Sequence, residues 1–180
     1  MWTDTARIDP DTASWSQGWA DFGMKAVKPS MPMCWNFRTA PALPRKTSQT
    51  NSAVATSAAA LEWTRDYTRN RKAFGTPVAD FQNTRFRLAE IKTEVEIAQV
   101  FVDRCLREVN EERLDPAVAA MAKYWCTELM GRALDQCVQL HGGYGYMWEY
   151  PIARAYADAR VHRIYGGSNE IMREIVARTL

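Results

Sequence analysis

Two pairs of adjacent glycines carry the clearest chemical signal in this sequence. They are Gly142-Gly143 and Gly166-Gly167, and each pair follows a run of residues with helical spacing. Glycine adopts positive φ angles and admits a close neighbour at a cost in backbone entropy, so adjacent glycines indicate turns that need one or the other. The free N–H groups of the helix that opens after Gly167 could face an anion. Ordinary helix capping is the alternative that spacing alone leaves open.

A cationic turn is the second candidate for chemistry. Residues 71–75 read Arg-Lys-Ala-Phe-Gly and combine a guanidinium, an aromatic ring and a tight turn. That combination suits a phosphate group that lies next to a flat ring system. A solvated helix end would have the same composition, so the segment decides nothing by itself.

Several other chemistries lack the residues that they need. The two histidines, His141 and His162, have no second ligand three or four positions away, so we expect no metal site. The sequence has no GxSxG elbow and neither of the glycine-rich phosphate motifs that follow a strand. Cys137 lies one helical turn before His141, and we attribute that spacing to helix packing rather than to nucleophilic catalysis.

Charge and composition argue against further classes of protein. The formal net charge is +2, and acidic and basic residues are interleaved, so nothing predicts nucleic-acid binding. No apolar run reaches about 18 residues, so we expect no membrane span. The N-terminal residues lack the pattern of a secretory signal. The 4 cysteines form no CxxC, which predicts buried, reduced thiols and a cytoplasmic location.

Helices are the elements that would position these residues. In the second and third, apolar residues recur at i, i+3, i+4 and i+7, and no run alternates long enough for a strand. We therefore predict an all-α fold, an up-and-down four-helix bundle with a short fifth helix over residues 52–180, behind an irregular N-terminal arm over residues 1–51. The predicted helices are Ser52–Asn70, Phe81–Asn110, Pro116–Leu140 (after the N-cap Asp115), Pro151–Tyr165 and Asn169–Leu180.

Four segments of the sequence resemble those of a known family. They are RKAFGTPVADFQ, LDPAVAAMAKYW, CVQLHGGYGYMWEYPIARAYADARV and IYGGSNEIMREIVAR. Together they resemble the C-terminal helical domain of the acyl-CoA dehydrogenases, and within the family the long-chain type most of all. The likeness covers about Ala58 to Leu180 with almost no gaps, and residues 1–51 do not share it.

The resemblance implies an FAD-dependent oxidoreductase of fatty acid β-oxidation. In this family a glutamate removes the α proton of an acyl-CoA while the flavin accepts a hydride from the β carbon, and the electrons pass to an electron-transfer flavoprotein. Donors at the thioester oxygen and a desolvated base make the α proton removable. Family members associate through this domain, so the resemblance also implies a homo-oligomer, a dimer or a tetramer.

Site residues follow from the same resemblance. Arg71 is similar to the arginine that meets the FAD pyrophosphate of a neighbouring subunit. The backbone N–H of Gly166 is similar to the donor that binds the thioester carbonyl. The other implied FAD contacts lie in or after the cationic turn and at the two glycine turns, and they are Phe74, Gln82, Gln139, Gly143, Tyr165, Ser168 and Glu170.

The sequence departs from the family at the catalytic base. Relatives of the medium- and short-chain types carry the base as a glutamate at the position of Gly166, and the long-chain type carries it in a motif ahead of the first bundle helix. Lys46 stands at about that earlier place, and a lysine ammonium does not act as this base without a large pKa shift. Neither Glu149 nor Glu170 matches a base position, so we identify no catalytic residue.

These departures predict a truncated or degenerate copy of the enzyme with weak or no activity alone. A non-catalytic helical module for oligomerisation or interaction is the alternative from another class of protein. An acyl-CoA oxidase is a further alternative. Retention of flavin would distinguish the enzyme from the non-catalytic module, and oxygen consumption would distinguish an oxidase from a dehydrogenase. The sequence leaves the acyl chain length open.

Overall fold

The computed structural model describes residues 42–180, with side chains from residue 47. This part is helical, and the all-α prediction is confirmed. Within it, no helix combines the length and the apolar character that crossing a membrane requires. The helices are α1 (Ala42–Asn70), α2 (Gln82–Asn110), α3 (Pro116–His141), α4 (Pro151–Ala159) and α5 (Asn169–Ala177), with 3-10 turns at Val78–Asp80, Gly142–Tyr146 and Arg160–Arg163 and a hairpin of β1 (Lys72–Ala73) and β2 (Thr76–Pro77).

Helix α1 begins at Ala42, ten residues before the predicted start at Ser52. The prediction of irregular structure is therefore wrong for residues 42–51. Pro44 lies in the first turn, where its missing N–H removes no helical hydrogen bond, so it does not delay the start. The earlier residues of the predicted arm and the side chain of Lys46 lie outside the described part of the chain.

The buried face of α1 mixes apolar side chains with hydroxyls. Ser57, Thr64 and Thr68 are fully buried, and each hydroxyl donates to the carbonyl four residues earlier at 2.7–2.8 Å. These bonds remove the penalty of burying an unpaired hydroxyl. The buried polar stripe continues toward the beginning of α1 through Thr47, Gln49 and Thr50. A polar face of this kind is invisible to a search for apolar periodicity, which explains the late predicted start.

Helix α3 lies at the centre of the described fold and packs against the other four helices. Helices α1 and α3 run in the same direction. Near their beginnings both contact the Gly166-Gly167 turn, α1 through Gln49 and α3 through Lys123. Near their ends, Tyr67 of α1 contacts His141 of α3. The two glycine turns therefore lie at opposite ends of α3.

One apolar core joins four of the helices. Val54 of α1, Val102 of α2, Leu129 of α3 and Ile152 of α4 are each at most 1% exposed and belong to a single cluster. Burying a side chain of this size stabilises the fold by roughly 1.5–3 kcal/mol. This core fixes α3 and thereby the positions of both glycine turns.

Both ends of α3 agree with the prediction to within one residue. Oδ1 of Asp115 accepts a hydrogen bond from the N–H of Ala117 at 2.6 Å, and Pro116 occupies the first helical position. The helix ends at His141, and Gly142 follows with φ 60. Glycine is favoured there because an L side chain rarely adopts a positive φ.

Helix α4 is shorter than predicted. It ends at Ala159 rather than at Tyr165, and a 3-10 turn replaces its last part, so the Gly166-Gly167 pair does not terminate it. The tighter turn brings Arg163 onto α3, where its Nε lies 3.4 Å from Oε2 of Glu128. This tertiary contact has no counterpart in the local sequence.

Candidate functional site

A cavity of about 730 Å³ opens at the Gly142-Gly143 turn. The end of α1, the end of α3 and the first 3-10 turn after α3 form its wall. Three of the residues that the resemblance implies as FAD contacts, Arg71, Gln139 and Gly143, lie in this wall. The other lining residues are Tyr67, Val78, Leu140, His141, Gly142, Tyr144 and Met147.

The glycines of this turn leave open space beside the backbone. A Cβ added at Gly142 or Gly143 would meet no atom of the protein within 4 Å. At Gly145, by contrast, a Cβ would overlap the carbonyl of Val138, so that glycine is needed for packing. The first glycine pair therefore keeps the backbone accessible to a ligand.

Aromatic rings form one side of the cavity. The rings of Tyr67 and His141 are stacked, with centroids 4.3 Å apart, and the Tyr67 hydroxyl donates to the His141 carbonyl at 3.1 Å. The ring of Tyr150 meets Tyr67 edge-on at 6.0 Å. The guanidinium of Arg71 lies 5.3 Å from the ring centroid of Tyr144. A cation above an exposed ring suits a ligand that carries both a phosphate and a flat ring.

His141 is a buried, neutral part of this wall. Its Nδ1 lies 2.8 Å from the carbonyl oxygen of Cys137, an acceptor, so Nδ1 carries the proton of the neutral ring. Burial lowers the pKa of His141 and raises that of the Cys137 thiol. Both groups are therefore uncharged at neutral pH and pack as the helix spacing predicts.

Two further implied FAD contacts lie outside the cavity wall. Phe74 is fully exposed at the tip of the β1–β2 hairpin, with φ 52, and Gly75 beside it has φ 81. Positive φ at both central residues is typical of a type I′ turn, and it is costly for a phenylalanine. Gln82 is exposed in the first turn of α2. Neither side chain lines the cavity of its own chain.

The Gly166-Gly167 turn has the opposite character. Its φ angles are 68 and 100, which only glycine adopts readily. A Cβ at Gly166 would overlap the side-chain amide of Gln49, and one at Gly167 would lie 2.7 Å from Cε of Met172. The protein itself fills the space beside this pair.

A buried lysine holds the second turn in place. Lys123 is fully buried, and its Nζ donates to the carbonyl of Gly167 and to Oδ1 of Asn169, both at 2.8 Å. The Asn169 amide in turn donates to Oγ1 of Thr127 at 3.1 Å and to Oε1 of Glu128 at 2.8 Å. This network fixes the backbone of the turn against α3.

The other residues implied at the second turn are closer to solvent. Tyr165 is half-buried, and its hydroxyl lies 3.1 Å from Nδ1 of His162. Ser168 stands at the N-cap of α5 but makes no capping bond with its side chain. Hydrogen bonds from its own backbone N–H and from Ser168 lower the pKa of the exposed Glu170. A carboxylate with a lowered pKa is a poor general base, and Glu149 is also exposed.

Sequence reasoning missed Gln49 and Lys123 at the second turn, and Tyr67 at the first. Lys123 is a lysine on a helix face that is otherwise made of small and apolar residues, and that pattern was the available signal. The residues that separate Lys123 from His141 along α3 span about 27 Å, at about 1.5 Å per residue. The two glycine turns are therefore separate parts of the molecule.

Comparison with known proteins decides the family. Residues 47–180 match the family model "Acyl-CoA dehydrogenase, C-terminal domain". The chain belongs to the acyl-CoA dehydrogenase family. The family match begins eleven residues before the start of the resemblance at Ala58.

The likeness to the long-chain type is confirmed by relatives of that type. The chain is 58% identical to the mitochondrial long-chain specific acyl-CoA dehydrogenase of Rattus norvegicus over 120 residues, which are 67% of this chain and 28% of that protein. The CarC subunit of the caffeyl-CoA reductase–Etf complex of Acetobacterium woodii is 32% identical over 72% of this chain and 34% of its own length. The chain spans less than a third of the rat relative.

A solved structure supports the same domain assignment. The crystal structure of an acyl-CoA dehydrogenase from Geobacillus kaustophilus superposes with a TM-score of 0.75 and 40% identity, over 77% of this chain and 36% of that one. The match therefore concerns the helical domain that carries both glycine turns.

Proposed function

We propose that this acyl-CoA dehydrogenase domain binds FAD at the Gly142-Gly143 cavity and an acyl-CoA thioester at the Gly166-Gly167 turn. The observation that carries the proposal is the open space beside Gly142 and Gly143, in a cavity that also contains Arg71 and stacked aromatic rings. Cavity size, cation and rings fit the adenosine and pyrophosphate part of a dinucleotide. FAD, when bound, supplies the redox chemistry.

Each residue at the first turn would have a distinct part in binding. Arg71 offers a delocalised cation to the pyrophosphate. Gln139 offers amide donors and acceptors to the adenosine end. The glycine backbone permits an approach that a side chain would block, and the neutral His141 supports the ring of Tyr67 against the ligand.

The second turn would bind the thioester of a fatty acyl-CoA. The backbone N–H of Gly166 donates to the thioester carbonyl and polarises it, which makes the α proton more acidic. Lys123 holds the Gly167 carbonyl, so the turn is preorganised for that contact. The implied FAD contacts Tyr165, Ser168 and Glu170 lie beside it.

We also propose that the FAD at the first turn is shared with a second copy of the chain, which makes the protein a homo-oligomer. The fully exposed Phe74 and the exposed Gln82 do not line their own cavity and are free to contact a partner's flavin. The separation of the two turns by about 27 Å along α3 also suits two ligand sites rather than one.

Turnover by this chain alone is expected to be weak or absent. Position 166 is a glycine rather than a carboxylate, and Glu170 is exposed with a lowered pKa. The matched residues also correspond to only 28% of the length of the rat relative. Four further points stay predictions. They are reoxidation by an electron-transfer flavoprotein, a role in β-oxidation, a cytoplasmic location and a degenerate or truncated origin.

Visible absorbance tests the proposed cofactor. The purified chain is incubated with excess FAD and desalted, and the Gly143→Val variant serves as the matched control because its side chain would fill the open space. We expect a flavin band with the wild type and none with the variant. Bleaching of the band by palmitoyl-CoA without oxygen, at the rate of intact relatives, would refute weak turnover.

A non-catalytic interaction module is the second candidate. Large apolar side chains stand exposed on α2 and after α3, such as Val100 at 68% and Tyr146 at 89% exposure, and they suit association between chains. Absence of flavin from a folded wild-type oligomer would favour this module. Consumption of oxygen during acyl-CoA oxidation would instead favour an acyl-CoA oxidase.

A further inference from the structure

Gln49 is a buried polar side chain that the fold does not explain. It is 6% exposed, and its Oε1 has no hydrogen-bond partner among the described residues. Leaving such an atom unpaired destabilises the fold, whereas an apolar side chain of the same shape would not. A buried polar group without a protein partner calls for an explanation, and a bound ligand is one.

The amide of Gln49 lies directly against the second glycine turn. Both of its polar atoms occupy the space where a side chain at position 166 would begin. The turn itself is rigid, because Lys123 binds the carbonyl of Gly167. The amide therefore stands beside Gly166, the residue whose N–H we assign to the thioester carbonyl.

The chemistry of an amide defines what it can do at this place. The unpaired Oε1 accepts hydrogen bonds, and a half-turn of the amide places Nε2 at the same position, because amide oxygen and nitrogen are assigned from their partners. In that orientation the amide donates to a carbonyl oxygen, so Gln49 and the Gly166 N–H together supply two donors. Unlike a carboxylate of the same shape, a neutral amide does not take up a proton near neutral pH. Gln49 would therefore bind the thioester and leave its α proton in place.

We propose that Gln49 contacts the acyl thioester beside Gly166 and occupies the position from which a carboxylate would take the α proton. The inference rests on the proposed function of the second turn. It goes further by assigning the empty base position to a neutral residue of α1. Gln49 lies about one helical turn after Lys46, which stands at about the place where the family motif has its glutamate.

Binding of two coenzyme A derivatives tests the contact. Isothermal titration with FAD present compares palmitoyl-CoA with S-hexadecyl-CoA, a thioether of equal chain length without the carbonyl. We expect Gln49→Met to weaken palmitoyl-CoA binding about fivefold, the worth of one hydrogen bond, and to leave the thioether unchanged. Equal weakening of both ligands, or of neither, would overturn the contact.

Exchange of the α hydrogens tests the base position. In D2O, a carboxylate at position 49 would take an α proton from palmitoyl-CoA and return a deuteron, with no net transfer of electrons. We expect mass spectrometry to find α-deuterium with Gln49→Glu and none with the wild type. Gln136→Glu is the matched control, because Oε1 of Gln136 on α3 is also buried and unpaired but lies toward the other end of that helix.

The outcomes separate the inference from the proposed function. A folded Gln49→Glu variant that exchanges no more than Gln136→Glu would overturn the base position. If Gln49→Glu does not fold, the titration of Gln49→Met decides the inference by itself. A wild-type chain that binds neither coenzyme A derivative would refute the proposed function and the inference with it.

Discussion

The two glycine pairs have the same sequence and opposite surroundings. Beside Gly142-Gly143 there is open space and a cavity, whereas beside Gly166-Gly167 the protein fills the space with Gln49 and Met172. The first pair leaves the backbone accessible to a ligand. The second pair lets other side chains pack against the turn and adopts positive φ angles that other residues adopt poorly. The same Gly-Gly motif therefore serves two different structural purposes. Substitutions at the two pairs should have different effects, which would reveal the purpose of each.

The largest expected difference is in the free energy of unfolding of matched valine variants. Gly166→Val combines a positive φ of 68 with an overlap against the Gln49 amide, so we expect a loss of about 4 kcal/mol. Gly143→Val enters open space, and we expect a loss below about 1 kcal/mol. Urea unfolding measures both, and equal losses would remove the distinction between the turns.

Removal of the buried lysine should have the next largest effect. Lys123→Met leaves the carbonyl of Gly167 and Oδ1 of Asn169 without this donor, so we expect a loss of about 3 kcal/mol. The control is Lys92→Met, because Lys92 is an exposed partner of Glu96 on α2 and such pairs contribute about 0.5 kcal/mol or less. A Lys123 variant as stable as its control would show that the network does not hold the turn.

A smaller effect is expected at the first turn from the loss of one hydroxyl. Tyr67→Phe keeps the ring stacked on His141 and removes the bond to the His141 carbonyl, which predicts a loss of about 1 kcal/mol. Tyr156→Phe removes an exposed bond to Asp135 at 3.3 Å and should change stability very little. The reverse order in thermal unfolding would contradict the assignment of Tyr67 to the cavity wall.

The pH dependence should be the weakest effect, and both turns contribute to it. Burial lowers the pKa of His141 and of His162 below the ordinary value of 6.5. The unfolded chain then binds more protons than the folded chain just below pH 6.5, so stability is complete above that pH and falls as the pH decreases. The His162→Gln variant, measured by urea unfolding at pH 7.5 and 5.5, should lose less stability on acidification than the wild type.

An equal loss in the variant and the wild type would count against a half-buried, neutral His162. His141 would then be the remaining source of the pH dependence. Its ring is stacked on Tyr67, so acid would act mainly on the first turn.

Local signals made parts of this fold predictable. Asp115-Pro116 sets the start of α3 and Gly142 sets its end, because caps and positive-φ positions are decided by neighbouring residues. The family motifs predicted ligand contacts at Arg71, Gln139 and Gly143, and all three residues line one cavity. The open space beside the glycines depends on the tertiary structure and cannot be predicted from the motif alone.

Distant contacts explain what the sequence did not reveal. Gln49 meets Gly166, and Lys123 meets Gly167, across long stretches of chain. Near its start, α1 buries Thr47, Gln49 and Thr50 rather than apolar side chains, so that start escaped a search for apolar periodicity. The early end of α4 is likewise accompanied by a tertiary contact, that of Arg163 with Glu128 of α3.

Hydrogen–deuterium exchange of the backbone amides, with and without FAD, tests the contrast between the turns most directly. We predict that amides of residues 142–147 exchange quickly in the free chain and slowly with FAD. At the second turn, the amides of Ile164, Tyr165 and Met172 should exchange slowly in both states, because each already donates to a backbone carbonyl. Slow exchange at residues 142–147 without FAD, or no change on adding it, would contradict an open ligand site at the first turn.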